Sequence, residues 1–318
     1  MSASKLPTVS IIIPVSKWNS NLDESIVHCC KLDYPDYEII VLPDDKFEYN
    51  DEKVRIIPTG HIGPAIKRNM GVKEAKGEII AFIDDDTYPV SDWLSNAVKN
   101  FEDPEIAAVG GPAVTPSSDG VLQRASGAVY ESLLGGGSYR YRYIPAKKRF
   151  VDDFPSCNLI VRKDVFEKVG GFVTNFWPGE DTALCLDIVH GLGQKIVYDP
   201  KVLLYHHRRR LFKGHLKQVT AYALHRGYFV KKLPKTSFRL SYFIPSIFVA
   251  FLLLGWILGA KFYFLVLLLY VLLAVVSVVQ FNGIRFLTFL GIAVTHIGYG
   301  IYFAKGLLAR KLKEESED

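Results

Sequence analysis

The 318-residue sequence contains only four cysteines and two methionines. Cys29, Cys30, Cys157 and Cys185 show no C-x-x-C pair and no metal-ligand spacing. A disulfide scaffold is therefore excluded, and reduced thiols in a cytosolic compartment are expected. The N-terminus has no apolar core of the signal-peptide type, so no signal peptide is expected. Disorder is also excluded, because 49% of the residues are hydrophobic and 13% are aromatic.

Acidic residues are absent between Tyr205 and Arg239. This stretch, called the basic stretch below, carries ten cations: Arg208, Arg209, Arg210, Lys213, Lys217, Arg226, Lys231, Lys232, Lys235 and Arg239. Because the whole chain has a net charge of +5, the rest of it carries a net charge of −5. Phe212, Leu216, Val219 and Ala223 recur at helical spacing, which predicts a basic amphipathic helix on an anionic membrane surface, with a solvated charged face as the alternative.

Charge nearly disappears from Leu240 to Ala304, where only Lys261 and Arg285 are charged. Three apolar runs occupy this region: Leu240–Gly259, Phe262–Phe281 and Phe286–Ala304. Each has about 20 residues, the length that a helix needs to cross the hydrocarbon core of a bilayer. Three such runs in succession leave no polar face for solvent, so membrane helices are favoured over core helices of a soluble domain.

Short apolar runs alternate with helical patterns before the basic stretch. Val9–Ile13, Ile39–Leu42 and Ile79–Ile83 are predicted to be strands buried on both faces, and Pro64–Ala75 a helix between two of them. This alternation predicts an open α/β sheet. Ligands of such sheets bind beyond the carboxyl ends of the strands.

Acidic residues stand directly after one of these strands. Asp84, Asp85 and Asp86 follow Ile83, and three adjacent acids repel one another unless a cation compensates them. Mg²⁺ and Mn²⁺ prefer oxygen ligands and are commonly shared with substrate phosphates. A divalent cation site is therefore predicted, with a solvated acidic turn as the alternative.

A second acidic pair, Glu180 and Asp181, follows Phe176, Trp177 and Pro178 and opens a predicted helix. Acids in a first helical turn suit the helix dipole, which is one interpretation. The other is a general base at a helix N-terminus behind an aromatic wall, placed to deprotonate a hydroxyl acceptor.

Six motifs together resemble a known family. They are Val9–Pro14, Lys67–Gly71, Ile83–Asp86, Asn158–Arg162, Gly170–Phe172 and Gly179–Asp181. In this order and spacing the chain resembles glycosyltransferase family 2 over roughly residues 8 to 207. The family comprises inverting enzymes with the GT-A fold, a Rossmann-like mixed α/β sheet that binds nucleotide-diphospho-sugars.

The resemblance implies a nucleotide-diphospho-sugar donor and a role for each matching residue. Asp181 would be the catalytic base and Glu180 its neighbour, while Asp86, with Asp84, would hold Mg²⁺ or Mn²⁺. Residues near the donor would be Pro14, Asp44, Arg68, Asp84 and Asp85. Residues near the acceptor or its phosphate would be Asn158, Trp177, His207 and Arg208.

Two departures from the family pattern leave the donor nucleotide open. No acid follows Pro14 at the usual place, and Pro43 replaces the first Asp expected after the second strand, so only Asp44 matches cleanly. The Gln-x-x-Arg-Trp motif of processive polysaccharide synthases is absent. A polymerising synthase is therefore a weaker alternative.

The sequence predicts a catalytic domain over residues 1–205, a basic interfacial helix region over 206–239, a transmembrane region over 240–304 and a charged tail over 305–318. The predicted enzyme transfers a sugar to a lipid-linked saccharide at a cell membrane, with its catalytic domain in the cytoplasm. A polyprenyl-phosphate acceptor and a non-catalytic sugar-nucleotide sensor are the alternatives. Membrane lipid is an expected partner, and nucleic acid is not; the oligomeric state stays open.

Overall fold

A computed structural model describes residues 6–172, 176 and 178–312 of the chain. The strands are β1 (Val9–Pro14), β2 (Tyr37–Leu42), β3 (Val54–Ile56), β4 (Ile79–Ile83), β5 (Thr87–Pro89), β6 (Ile106–Gly110), β7 (Ala113–Val114), β8 (Arg149–Val151), β9 (Asn158–Arg162), β10 (Lys195–Tyr198) and β11 (Leu204–His206). The helices are α1 (Ser20–Cys29), α2 (Pro64–Glu74), α3 (Trp93–Val98), α4 (Val121–Glu131), α5 (Leu133–Gly136), α6 (Lys163–Lys168), α7 (Glu180–Leu186), α8 (Lys213–Lys232), α9 (Pro234–Ser237), α10 (Leu240–Leu254), α11 (Ala260–Val278) and α12 (Arg285–Leu308).

The chain forms two compact units. Among the described residues, the first unit takes in 6–114 and 145–206, and the second takes in 115–144 and 207–312. Residues 115–144 therefore leave the first unit, fold with the C-terminal helices, and return. The predicted domain boundaries at 205, 239 and 304 remain a prediction.

A mixed sheet forms the centre of the first unit. Its strand order in the described structure is β3-β2-β1-β4-β9-β6-β10-β8, and β1 pairs in parallel with both β2 and β4. All residues of β1 and β4 are buried, which confirms that these apolar runs are strands covered on both faces. A strand buried on both faces needs an apolar side chain at nearly every position, which a continuous run of Val and Ile provides. A strand with alternating polar residues would bury only one face.

The parallel strands β1, β2 and β4 end at the same edge of this sheet, at Pro14, Leu42 and Ile83. A smaller sheet with the order β5-β11-β7 lies in the same unit. β5 begins directly after the acidic triplet and pairs with β11, so that His206 lies opposite Thr87. This pairing brings the last residue of β11 to the acidic triplet.

The second unit contains three helices long and apolar enough to cross a membrane. They cover Leu240–Leu258, with a 3₁₀ turn at its end, then Ala260–Val278 and Arg285–Leu308. The large apolar side chains of α10 and α11 are mostly exposed, whereas α12 packs against α8, α10 and α4. The three predicted apolar runs are thus helices in the structure.

Helix α8, formed by the basic stretch, runs along α12 in the same direction. Gly298 faces Leu216 and Thr220 near the start of α8, and Gly306 faces Leu224 further along it. Close to the end of both helices, the Lys231 ammonium donates to the carbonyl of Ala309 at 2.6 Å. The two helices therefore run side by side along most of α8.

Two further local features complete the two units. The helix that the acidic pair opens begins at Glu180 and ends at Leu186, and a π-helical turn over Asp187–Gly191 follows it. The glycine-rich segment that follows α4 forms α5 and a 3₁₀ helix over Gly137–Arg142. Ser132 caps α5 by accepting from the backbone N–H of Gly135, which gives this segment a fixed start.

Candidate active site

The acidic triplet begins the loop between β4 and β5. The hydroxyl and the backbone N–H of Thr87 donate to the carbonyl of Asp84 at 2.8 and 3.1 Å, which closes the loop tightly. Asp85 accepts from the Nδ2 atom of Asn19 at 2.7 Å, and the other end of that amide caps α1. Burial, followed by repulsion from Asp86, raises the pKa of Asp85 to about 6.

Asp86 and His206 form a pair at the centre of the site. Asp86 Oδ1 lies 3.2 Å from His206 Nε2, and both side chains are largely buried. This is the distance of a direct ion pair, and a carboxylate oxygen with an imidazole nitrogen is a donor set that would suit a divalent cation such as Mn²⁺. In the described part of the chain, no group of three or more His, Cys, Asp or Glu side chains is arranged so that it could hold a metal ion. Two protein ligands nevertheless suffice where substrate phosphates complete the coordination.

The neighbouring histidine points the other way. His207 Nδ1 lies 2.6 Å from Asp119 Oδ1, within the second unit. His206 thus faces Asp86, whereas His207, just after the end of β11, faces Asp119. The sequence could have favoured His206 over His207 only if the pairing of β11 with β5 had been known.

Arg68 joins the two acidic motifs. Its guanidinium donates to Asp84 at 2.7 Å and to Glu180 at 3.0 Å, and its side chain is only 5% exposed. Burial by itself would lower the pKa of Arg68, but the charges of Asp84 and Glu180 outweigh it and raise the pKa. Arg68 thus fixes the end of β4 relative to the start of α7, and its place beside the nucleotide stays a prediction.

Glu180 and Asp181 have different surroundings although they are adjacent. Glu180 is 4% exposed and also accepts from the backbone N–H of Gly179 at 3.0 Å. Burial raises the pKa of Glu180, and the charge of Arg68 opposes this shift. Asp181 is half-buried and accepts from the backbone N–H of Thr182 at 2.8 Å. Of the two acids, Asp181 is therefore the better placed to exchange a proton with a substrate.

A buried contact behind α7 supports this helix start. The Thr182 hydroxyl donates to Asp153 Oδ1 at 2.9 Å, and both side chains are at most 5% exposed. Asp153 stands in the segment between β8 and β9. The sequence analysis did not single it out, because nothing in its local pattern separates it from Asp152.

The loop after β2 holds a second ion pair. Lys67, which is buried, contacts Asp44 and also donates to the carbonyls of Val15 and Leu42 at 2.6 and 3.3 Å. His61 Nδ1 lies 2.6 Å from the other oxygen of Asp44. Although burial acts to raise it, these hydrogen bonds hold the pKa of Asp44 below its usual range. Lys67 thus ties the ends of β1 and β2 together, at the predicted nucleotide side.

Three further predicted site residues to be located are Pro14, Asn158 and Trp177. Pro14 is buried as the last residue of β1. Asn158 is fully buried: its amide donates to the carbonyls of Gly111 and Val202, and its oxygen accepts from Trp93. The prediction that Asn158 contacts the acceptor is wrong in this geometry, because the amide is used within the protein core. Trp177 lies outside the described residues.

Aromatic side chains line the surface beside the first strand. Trp18 stacks against Tyr49 with ring centroids 5.5 Å apart and lies 5.2 Å from Phe47. The indole N–H of Trp18 donates to Asp23 at 2.7 Å. This half-buried group follows β1 and β2, where the sequence departs from the family pattern, so it was not identified from the motifs.

Comparison with known proteins identifies the family. The glycosyl transferase family 2 model matches residues 10–170, half of the chain, and the chain belongs to that family. It is a glycosyltransferase with a GT-A fold, as the resemblance predicted. A mannosyltransferase of Pyrobaculum calidifontis, PcManGT, solved with GDP-mannose and Mn²⁺, matches 97% of this chain and 89% of that chain with a TM-score of 0.64 and 20% identity.

Two curated relatives act on lipid-linked sugars according to their names. A dolichyl N-acetyl-α-D-glucosaminyl phosphate 3-β-D-2,3-diacetamido-2,3-dideoxy-β-D-glucuronosyltransferase of Methanococcus voltae is 24% identical over 243 residues, which are 70% of this chain and 74% of that protein. A glucosyl-dolichyl phosphate glucuronosyltransferase of Haloferax volcanii is 25% identical over 152 residues, which are 45% of this chain and 47% of that protein. This chain thus spans less than half of the second relative.

Proposed function

We propose that this glycosyltransferase moves a sugar from a nucleotide-diphospho-sugar to a hydroxyl group of a lipid-linked saccharide, with inversion at the anomeric carbon. The contrast between Glu180 and Asp181 carries the proposal. An acceptor that is already a phosphate anion needs no base, whereas a sugar hydroxyl does. A half-buried carboxylate at the start of α7, held beside an acid that Arg68 engages, suits that need.

The acceptor class is supported by two further observations. Both relatives named above carry dolichyl phosphate-linked sugars in their names. The three apolar helices of the second unit are long enough to hold the enzyme at a membrane, where such acceptors lie. The cations of the basic stretch, which precede the first apolar helix, favour a cytoplasmic catalytic domain under the positive-inside rule.

The chemistry assigns one task to each group. Asp181 accepts the proton of the acceptor hydroxyl while that oxygen attacks the anomeric carbon, and the bond from this carbon to the diphosphate breaks. Asp86 and His206 would hold a divalent cation, and that cation would neutralise charge on the departing diphosphate. Because Asp84 is engaged by Arg68, His206 replaces it as the second proposed ligand. The nitrogen ligand favours Mn²⁺ over Mg²⁺.

The test is a transfer assay with purified protein, Mn²⁺, a panel of nucleotide sugars and a short-chain prenyl-phospho-sugar acceptor. Asp181→Asn keeps the size of the side chain but removes the base, so turnover should fall by roughly two to four orders of magnitude while donor affinity changes little. Asp187→Asn, at the other end of α7, is the matched control with the same change of charge. Donor affinity that falls as steeply as turnover would show that Asp181 belongs to the donor side.

A second candidate is transfer to a polyprenyl phosphate itself. The same assay separates the two, because the prenyl phosphate without its sugar then serves as the acceptor. Faster transfer to this compound, together with little effect of Asp181→Asn, would favour the second candidate.

A further inference from the structure

Both neighbours of Asp181 are fixed by buried polar contacts. Glu180, the residue before it, accepts from the Arg68 guanidinium at 3.0 Å. Thr182, the residue after it, donates its hydroxyl hydrogen bond to Asp153 Oδ1 at 2.9 Å. These four partners are at most 5% exposed, whereas Asp181 itself is half-buried. The first turn of α7 is therefore held on each side of the proposed base.

Asp153 is in turn held by the central sheet. Phe154, the next residue, is 1% exposed, and a Cβ atom at Gly110 of β6 would lie 2.3 Å from its ring. The ring thus lies directly against the backbone of β6. The backbone N–H of Phe154 also donates to the Cys185 thiol at 3.4 Å, and Cys185 is one helical turn beyond Thr182. Asp153 and Phe154 together connect one face of α7 to the sheet.

Helix α7 has little else to define its start. Among the described side chains, none caps it, because Gly179 precedes the helix with φ at 132° and offers no side-chain acceptor. The helix has seven residues, so its own backbone hydrogen bonds stabilise it little. The direction of the Asp181 side chain therefore depends on the contacts that its two neighbours make.

A carboxylate is a costly choice for a contact that only fills space. Burying an acid costs free energy unless hydrogen bonds compensate for it, and a neutral amide would accept from the Thr182 hydroxyl with less desolvation. An ionised carboxylate, however, accepts a hydrogen bond roughly twice as strong as a neutral group does. Asp153 thus gives Thr182 a strong acceptor whose own position the sheet determines.

On the basis of the proposed function, we infer that Asp153 is a positioning residue for the proton transfer. Through the Thr182 hydroxyl it holds the first turn of α7, and this turn directs the Asp181 carboxylate towards the acceptor hydroxyl. The hydrogen bond from the Thr182 backbone N–H to Asp181 Oδ1, at 2.8 Å, couples the same residue to the base. Thr182 therefore contacts both carboxylates.

Steady-state kinetics of transfer test this assignment. Thr182→Val keeps the shape of the side chain but removes the hydroxyl, so kcat should fall by about tenfold or more, because a displacement of about 1 Å at a reacting group costs up to about 100-fold. The KM for the donor should change less than about twofold, since the proposed cation site at Asp86 and His206 is unaltered. Thr182→Ser restores the hydroxyl and should recover most of the lost kcat.

A matched pair of variants addresses the acid itself. Asp153→Asn keeps an acceptor oxygen but removes the charge, so its kcat should lie between those of the wild type and Thr182→Val. Asp152→Asn makes the same change in the adjacent acid, whose side chain is 36% exposed, and should change kcat less than about twofold. Equal kcat for Thr182→Val and Thr182→Ser, or for Asp153→Asn and Asp152→Asn, would overturn the assignment.

A double-mutant cycle separates positioning from general damage to the fold. In Asp181→Asn the group to be positioned is no longer a base, so adding Thr182→Val should lower the remaining turnover by less than about twofold. A further loss of about tenfold in that background would show that the hydroxyl does not act through Asp181, and the assignment would fall. Should Thr182→Val not fold, Asp153→Asn in both backgrounds applies the same test.

The outcome is separable from the proposed function. Unchanged turnover of Asp181→Asn would remove the proposed base and its positioning residue together. A large loss in Asp181→Asn combined with wild-type kcat in Thr182→Val would remove the positioning role alone and leave the function.

Discussion

At the scale of single residues, function depends on which of two adjacent side chains faces the site. Glu180 and Asp181 are equivalent in the sequence, as are His206 and His207. In the structure, Arg68 pairs with Glu180 and Asp119 pairs with His207, whereas His206 lies beside Asp86 and Asp181 is half-buried at the start of α7. Neither choice follows from local sequence, because each depends on a partner far along the chain.

The first prediction concerns the cation. His206→Ala should raise the Mn²⁺ concentration for half-maximal transfer by about tenfold or more, because one of two protein ligands is lost, and Asp86→Ala should abolish transfer. The measurement is the initial rate as a function of free Mn²⁺. His207→Ala is the matched control and should leave this midpoint unchanged, since His207 faces Asp119. Full activity in excess chelator would contradict a metal-dependent mechanism.

At the scale of elements, the contact between α8 and α12 depends on glycine. A Cβ atom at Gly306 would lie 2.0 Å from the carbonyl oxygen of Leu224, and one at Gly227 would lie 2.2 Å from that of Phe303. Both obstacles are backbone atoms, which a side-chain rotation cannot move. The two helix backbones therefore approach as closely as small residues allow.

Gly306→Ala should accordingly destabilise the second unit by about 1–3 kcal/mol, because the helices must separate. Gly298→Ala is the control, since its Cβ would meet only side-chain atoms at 3.4 and 3.5 Å, which is ordinary contact. Thermal unfolding in detergent measures both. Equal midpoints for the two variants would show that α8 and α12 do not pack as described.

A histidine at the same interface makes stability depend on pH. His215 lies between the hydroxyls of Ser126 and Thr295, at 2.8 Å from each, and burial lowers its pKa to about 4. The unfolded chain, with a pKa near 6.5, binds a proton at a pH where the folded chain does not. The stabilisation is therefore complete above about pH 6.5 and is lost as the pH falls from there towards 4.

The melting temperature of the wild type should fall between pH 7.5 and pH 5 by more than that of His215→Gln. His225→Gln, on the same helix and more exposed, is the control. Parallel pH profiles for the wild type and His215→Gln would contradict a buried neutral imidazole at this interface.

At the scale of the whole molecule, positive charge is concentrated in one stretch while the remainder is negative. Lys213 and Lys217 are exposed on α8, one turn apart. Anionic lipid should attract them with about 1 kcal/mol for each charge, less after screening by salt. The charge pattern thus predicts that transfer in vesicles increases with anionic lipid.

Replacing Lys213 and Lys217 with Gln should weaken the response of transfer to anionic lipid and to ionic strength. Lys73→Gln with Lys76→Gln removes the same charge from exposed sites in the first unit and should not alter that response. Initial rates in liposomes with increasing phosphatidylglycerol provide the measurement. Identical lipid dependence in all three proteins would show that α8 presents only a solvated face.

The sequence by itself determined the strands and helices that depend only on the hydrophobicity of their own segment. Continuous Val and Ile runs bounded by proline and acids required strands buried on both faces, and three apolar runs of about 20 residues required helices with no polar side. The order of the motifs was enough to identify the family. These features depend on whether one continuous segment is buried, and the types of its neighbouring residues are enough to predict that.

Tertiary structure decided the rest, because it depends on contacts between distant segments. It directed Asn158 into the core, joined Arg68 to two acids, and aligned His206 with Asp86 through the pairing of β11 with β5. It also placed residues 115–144 with the C-terminal helices, which brought Tyr130 and Tyr143 to Arg208. In each case, composition and spacing allow several interaction partners for the same side chain. Only the packing of the folded chain determines which of them it contacts.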